Sequence, residues 1–208
     1  MSIKPPTFNN EDMAIFEKEQ LSSGFLKVTR FTLKHKLFAG TWSEPFVREL
    51  ITRHDAVAVL PYDPKLDKVV LIEQFRIGCI NRDDSPWSLE LVAGIIDKNN
   101  SKEEIAIMEC QEEAGLTIQK LIPIYDYFSS PGGSTEKVQV YCALVDSTKA
   151  HGIHGIKKDN EDIMVHTCSS ADAFNAVKSG RINNAISIIA LQWLELNKDS
   201  LCRQNLTS

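Results

Sequence analysis

Residues 94–116 read GIIDKNNSKEEIAIMECQEEAGL, and the fold of the chain turns on this stretch. Ser101, with Glu104 three residues later, forms a capping box, so a helix is expected to start there. Gly115 suits the left-handed position just past its end. Glu109, Glu112 and Glu113 stand at i, i+3 and i+4 and share one face of such a helix. They fall in its second half, where the helix dipole disfavours negative charge. Each like-charged neighbour costs a further ~0.2–0.5 kcal/mol. A helix shaped for stability alone would carry lysine or arginine there. A divalent cation reverses both penalties, and magnesium prefers a few carboxylate oxygens together with water and substrate phosphate. By itself the triplet reads equally as a solvated acidic face.

Working outward, Trp87 to Val92 (WSLELV) reads as a strand that delivers the chain into the Gly94 loop. Ala56 to Leu60 and Val69 to Phe75 are short apolar runs on either side of YDPKLDK, a loop with turn chemistry. Such runs suit strands buried on both faces. Further strands are expected near residues 122–128, 138–145 and 163–168, and helices over 170–178 and 184–196. Gly180 is a stop for the first of these helices. In the second, Ile186, Ile189, Ala190, Trp193 and Leu194 recur at core-facing spacing. This order predicts an α+β domain with a mixed sheet between helices. Upstream, the first twenty residues read as a polar, proline-containing arm. Residues 24–37 read as a strand, and 44–52 return after a turn through Gly40, with Pro45 confining the early part to an edge. The chain thus divides into a small β-rich extension, 1–50, and a main domain, 51–208.

The chain has 208 residues, 43% hydrophobic and 25% charged, ordinary values for a globular protein with one sizeable core. A net charge of −5 argues against non-specific nucleic-acid binding. No apolar run approaches the roughly 20 residues that span a bilayer, and the N-terminus lacks a signal-type apolar segment. The five cysteines are widely spaced and odd in number. They favour reduced thiols and a cytoplasmic location over a disulfide framework.

The 94–116 stretch resembles the Nudix box, the signature of hydrolases that cleave a nucleoside diphosphate linked to another group. Gly94, Glu109, Glu112, Glu113, Gly115 and Leu116 match it. Asn100 replaces its early glutamate, Met108 its arginine and Cys110 an aliphatic residue. A buried thiol behaves as a small hydrophobe. Methionine, however, cannot make the charge-assisted bonds of an arginine. Within the family the whole chain is similar to bacterial ADP-ribose pyrophosphatases. The matching stretches are LFAG (37–40), VVLIEQFRI (69–77), SSPGGSTE (129–136), HGIHG (151–155), NEDI (160–163) and AISIIALQWL (185–194). Pro131, fifteen residues past the box, has the spacing associated with that subgroup. The resemblance implies a Nudix-like α/β/α sandwich and a homodimer that exchanges its N-terminal region.

It also implies a site. Glu109, Glu113, Glu161 and the Ala93 carbonyl would hold metal, with Glu112 a further ligand or catalytic support. Asp159, Asn160, Glu161 and Asp162 form a second acidic cluster, which composition alone reads equally as a polar turn. Pyrophosphate hydrolysis needs a base for water and metals for phosphate oxygens. By alignment Asp159 falls on the base position, where glutamate is usual, and Glu161 on a metal position, with Glu161 the rival base. Arg53 and Arg76 are candidates for phosphate or ribose oxygens, because guanidinium bonds such groups bidentately. By resemblance Phe25 stacks on adenine and Glu136 bonds a ribose hydroxyl. His151 and His154 lack the further ligands of a zinc site and read as hydrogen-bonded residues of a glycine-rich loop.

The activity so implied is Mg²⁺-dependent hydrolysis of ADP-ribose to AMP and ribose 5-phosphate. Two or three ions would bind per site, with Mn²⁺ as a substitute. The alternatives are hydrolysis of another nucleoside diphosphate sugar, or a catalytically weak Nudix module that binds ADP-ribose.

Overall fold

The computed structural model describes residues 3–80, 85–96, 99–156, 158 and 160–205. The chain forms two compact units, one comprising residues 1–54 and 128–136, the other 55–127 and 137–208.

In the first unit, β1 (Met13–Ser23), β2 (Lys27–His35) and β3 (Phe46–Thr52) make an antiparallel sheet in that order. The N-terminal arm is therefore shorter than expected, because residues 13–23 are a strand. Charged and polar residues such as Glu17, Lys18, Glu19 and Gln20 mask its β character, and pairing along the whole of β2 supplies the order that local propensity does not. Pro45 precedes β3, as a residue unable to donate to the ladder should. Ser134 bridges to Ile51, with bonds from Ile51 N–H to the Gly133 carbonyl (2.8 Å) and from Thr135 N–H to the Ile51 carbonyl (3.1 Å). None of this unit's described residues is buried.

The second unit is built on a mixed sheet of eight strands. These are β4 (Ala56–Asp63), β5 (Lys68–Phe75), β6 (Trp87–Glu90), β7 (Val92–Ile95), β8 (Lys120–Phe128), β9 (Lys137–Leu144), β10 (Ile153–His154) and β11 (Ile163–Ser169). The main path runs β10-β11-β5-β4-β9-β8. The β4 and β5 strands form a hairpin that pairs only at its closed end, Tyr62 with Val69 and Asp63 with Lys68. Beyond that point the two separate, and β6 pairs with β5 while β7 pairs with β4. The chain that leaves β7 is thereby brought to the middle of the sheet, where the helix α1 (Lys102–Ala114) begins.

Strand alternation divides the core in two. Ala58, Leu60, Tyr62, Val69, Leu71, Val138, Val140, Cys142 and Leu144 point to one face, against α2 (Ser170–Lys178) and α3 (Ala185–Asn205). Val57, Val59, Val70, Ile72, Tyr141, Ala143 and Val145 point to the other, against Ile105, Ala106, Cys110 and Ala114 of α1. This is the expected α/β/α sandwich. Gly180 ends α2 at φ 81°, and α3 runs nine residues beyond the expected stop at 196. The expected turn at YDPKLDK is closed by Asp63. Its Oδ1 accepts from the Lys65 and Leu66 N–H groups, and its Oδ2 from the Ser147 N–H and hydroxyl. The five cysteines are free thiols. No helix among the described residues is long and apolar enough to cross a membrane.

Candidate active site

The acidic helix is capped as its residues require. The Ser101 hydroxyl accepts from the Glu104 N–H, and the Glu104 carboxylate accepts from the Ser101 N–H. Gly115 closes the helix at φ 65°, its N–H donating to the Gln111 carbonyl, while Leu116 N–H bonds the Cys110 carbonyl. A Cβ at 115 would also crowd the His154 ring, at 3.0 Å from its Cε1. The His154 Nε2–H donates to the His151 carbonyl, so these histidines do serve the loop. Cys110 is fully buried, which fits its place at an aliphatic position; Met108 is half exposed.

Turned toward β7, Glu113 is buried and its Oε2 accepts from the Ala93 N–H at 3.0 Å. An extended residue projects its N–H and C=O toward the same strand edge, so the Ala93 carbonyl shares the side that faces Glu113. Glu109 lies half-buried against Gly94, where a Cβ would overlap its carboxylate. Glycine at 94 thus leaves the space that the Glu109 carboxylate occupies. Glu112 is exposed.

Crowding leaves its mark on protonation. Burial pushes Glu109 up to about 7, and the charges of Glu112 and Glu161 add to the rise. Burial pushes Glu113 up to about 8; the Ala93 N–H and Arg76 oppose this, and Glu109 and Glu161 reinforce it. The sequence places these glutamates against the helix dipole, and the fold adds desolvation and one another's charge.

Glu161 belongs to the same electrostatic cluster from a different element, the loop before β11. That loop folds on itself: the Ile156 N–H donates to the Glu161 carboxylate at 3.2 Å, and the Glu161 N–H to the Ile156 carbonyl at 3.3 Å. Gly155, at φ 97°, has the Glu161 backbone where a Cβ would sit, and Asn160 is also left-handed at φ 57°. Asp159 lies outside the described residues. Among those described, no three His, Cys, Asp or Glu side chains are gathered closely enough to hold a metal ion.

Arg76 follows β5 and bonds Glu90 at the end of β6, with Nε at 2.9 Å and Nη2 at 2.8 Å from the same carboxylate oxygen. Burial alone would lower its pKa, but Glu90 first, then Glu113 and Glu161, raise it. The sequence alone does not mark Glu90, which is one charge within WSLELV. Its signal, a carboxylate at the end of the strand that feeds the Gly94 loop, is not specific.

In the first unit, Arg53 and Glu136 form an ion pair at 3.2 Å across 83 residues of sequence. Thr135 holds the same corner, its hydroxyl accepting from the Arg53 N–H and donating to the Arg53 carbonyl. Phe25, in the β1–β2 turn, is almost fully exposed.

A family model for the NUDIX domain matches residues 52–187. The chain is 43% identical over 197 residues to the ADP-ribose pyrophosphatase of Escherichia coli strain K12, covering 95% of this chain and 94% of that one. It is 42% identical to the ADP-ribose pyrophosphatase of Haemophilus influenzae, covering 91% and 89%. Identity to the GDP-mannose pyrophosphatase of Yersinia pestis is 33%, covering 86% and 89%. The crystal structure of an ADP compounds hydrolase superposes with a TM-score of 0.68 at 19% identity, covering 91% of this chain and 97% of that one, a likeness of fold.

Proposed function

The chain belongs to the Nudix hydrolase family, and on that premise we propose that it is a Mg²⁺-dependent ADP-ribose diphosphatase. The observation that carries this reading is the pair Glu109 and Glu113, two carboxylates desolvated side by side at the edge of a glycine strand. Identity of 43% to ADP-ribose pyrophosphatases, against 33% to a GDP-mannose pyrophosphatase, favours ADP-ribose among the diphosphate sugars.

The donor set fits a hard divalent cation. All the groups are oxygens, and two of them carry raised pKa values that a cation would bring back down. Glu109, Glu113, Glu161 and the Ala93 carbonyl would hold it, with Glu112 as a further ligand. Two or three Mg²⁺ ions, replaceable by Mn²⁺, would neutralise charge on the diphosphate. Arg76 holds a phosphate oxygen through the part of its guanidinium that Glu90 leaves free. Asp159 takes a proton from the attacking water, whose oxygen joins one phosphorus as the bridging oxygen departs with the other. AMP and ribose 5-phosphate result.

The first unit supports a homodimer. A three-stranded sheet without a buried residue lacks a core of its own, and Ile15, Phe16, Leu21 and Phe25 lie exposed on it. In the dimer Phe25 stacks on adenine, and Arg53 and Glu136 bind the ribose side. Free thiols suit a cytoplasmic enzyme.

The test is a panel of nucleoside diphosphate sugars with Mg²⁺, read as released phosphate after phosphatase coupling. ADP-ribose should give the highest kcat/KM. Preference for GDP-mannose would replace the substrate, and turnover of neither would leave a binding module.

A further inference from the structure

Among the described residues, the carboxylates of Glu90, Glu113 and Glu161 attract Arg76, yet its side-chain hydrogen bonds go to Glu90. Guanidinium bound to Glu113 or Glu161 would occupy oxygens that the cation needs. The fold fixes Glu90 with unusual care. Asn184, just before α3, donates from Nδ2 to the Leu89 carbonyl at 2.9 Å. Ser187, fully buried in the first turn of α3, accepts from the Leu91 N–H at 3.2 Å. Its own N–H donates to the Asn184 Oδ1 at 3.0 Å, which ties the two contacts together. The residues on either side of Glu90 are therefore clamped from the face of the sheet opposite α1. Residue 90 itself points at Arg76, its side chain only 15% exposed.

We propose that Glu90 is a positioning residue, held by the Asn184–Ser187 clamp, that keeps Arg76 off the metal-binding carboxylates and leaves a guanidinium edge free for phosphate. This rests on the reading of Glu109, Glu113 and Glu161 as metal ligands. It gives the opening of α3 a task at a site on the other side of the sheet.

The test measures Mn²⁺ binding without substrate, by the loss of the free-ion paramagnetic resonance signal. Glu90→Gln should weaken binding about tenfold, the worth of one charge-assisted hydrogen bond, because the released Arg76 pairs with Glu113 or Glu161. Arg76→Ala should leave binding unchanged or tighter. The double variant should match Arg76→Ala, since without the guanidinium there is nothing to restrain. In turnover, Glu90→Gln should raise KM for the diphosphate more than it lowers kcat. A double variant as weak as Glu90→Gln alone would overturn the proposal, for then Glu90 acts on the cation directly. Unchanged binding in Glu90→Gln, or no Mn²⁺ binding by the wild type, would also overturn it. Should Glu90→Gln fail to fold, Glu90→Asp, which keeps the charge but withdraws the oxygen, must show the same loss. A wild type that prefers GDP-mannose would refute the substrate reading alone, because ion binding is measured without substrate.

Discussion

Glu109 packs so closely on Gly94 that a single methyl group there would take the place of its carboxylate. Gly94→Ala should therefore separate activity from stability. The φ of Gly94 is not positive, so the backbone admits alanine, and Glu109 can swing toward solvent. We expect turnover to fall about 10²-fold, the usual penalty for misplacing a reacting group by an ångström, with the melting temperature nearly unchanged. Parallel assays and thermal melts decide. Normal turnover in Gly94→Ala would show that the position of Glu109 does not matter.

Glu113→Gln removes a buried ionisable group while leaving an oxygen to accept from Ala93. Activity should be largely lost even at high Mg²⁺. In chelator above about pH 8, where Glu113 is ionised, the melting temperature should hold or rise, because the helix loses repulsion as well as an unfavourable charge at its C-terminal end. A destabilised variant with near-normal turnover would reverse this assignment.

The same carboxylates predict how metal-free stability varies with pH. Glu109 and Glu113 titrate at about 7 and about 8 in the fold against an ordinary 4.5. Between those values the folded chain retains protons that the unfolded chain has lost. Their stabilising contribution is therefore complete below about pH 4.5 and declines as pH rises toward 8. Melts in chelator should fall in temperature over this window, less steeply in Glu113→Gln, and saturating Mg²⁺ should flatten the slope above pH 7. Equal slopes in wild type and Glu113→Gln would contradict the prediction.

Away from the site, Asp63 is a structural carboxylate. Burial would raise its pKa, but the bonds from Ser147, Leu66 and Lys65 outweigh burial and hold it below the usual range. Its contribution is present near neutral pH and is lost as pH falls through that depressed value. Asp63→Ala leaves the buried Ser147 groups without this partner and should cost about 2–4 kcal/mol. Urea unfolding at pH 7 measures it, and the deficit against wild type should shrink in acid.

Much of this was legible in the sequence because the residues announce it locally. Ser101 with Glu104 and Gly115 bracket the helix, and the glutamate spacing puts the acids on one face. The apolar runs 56–60 and 69–75 mark central strands. Other features were hidden. Most of strand β1 lies in the stretch that reads as an arm, because its charged residues mask a β pattern that only pairing with β2 brings out. The splaying of β4 from β5, which centres the Gly94 loop, is a property of the sheet and of no single segment. Glu90 became visible only when β6 carried it to Arg76, fourteen residues away in sequence. Likewise, the Arg53–Glu136 pair is a contact that no local pattern encodes.

The central claim, that an acidic helix and an acidic loop together hydrolyse ADP-ribose, is tested most directly by chromatography of the products. Wild type, Asp159→Asn and Glu161→Gln should be compared over a range of Mg²⁺ concentrations. The wild type should yield equal amounts of AMP and ribose 5-phosphate. Asp159→Asn should lose about 10²–10⁴-fold in rate at every Mg²⁺ concentration, as removal of a general base does. Glu161→Gln should recover much of its rate as Mg²⁺ is raised. A normal rate in Asp159→Asn, with Glu161→Gln impaired at saturating metal, would make Glu161 the base; a wild type that forms neither product would contradict the account itself.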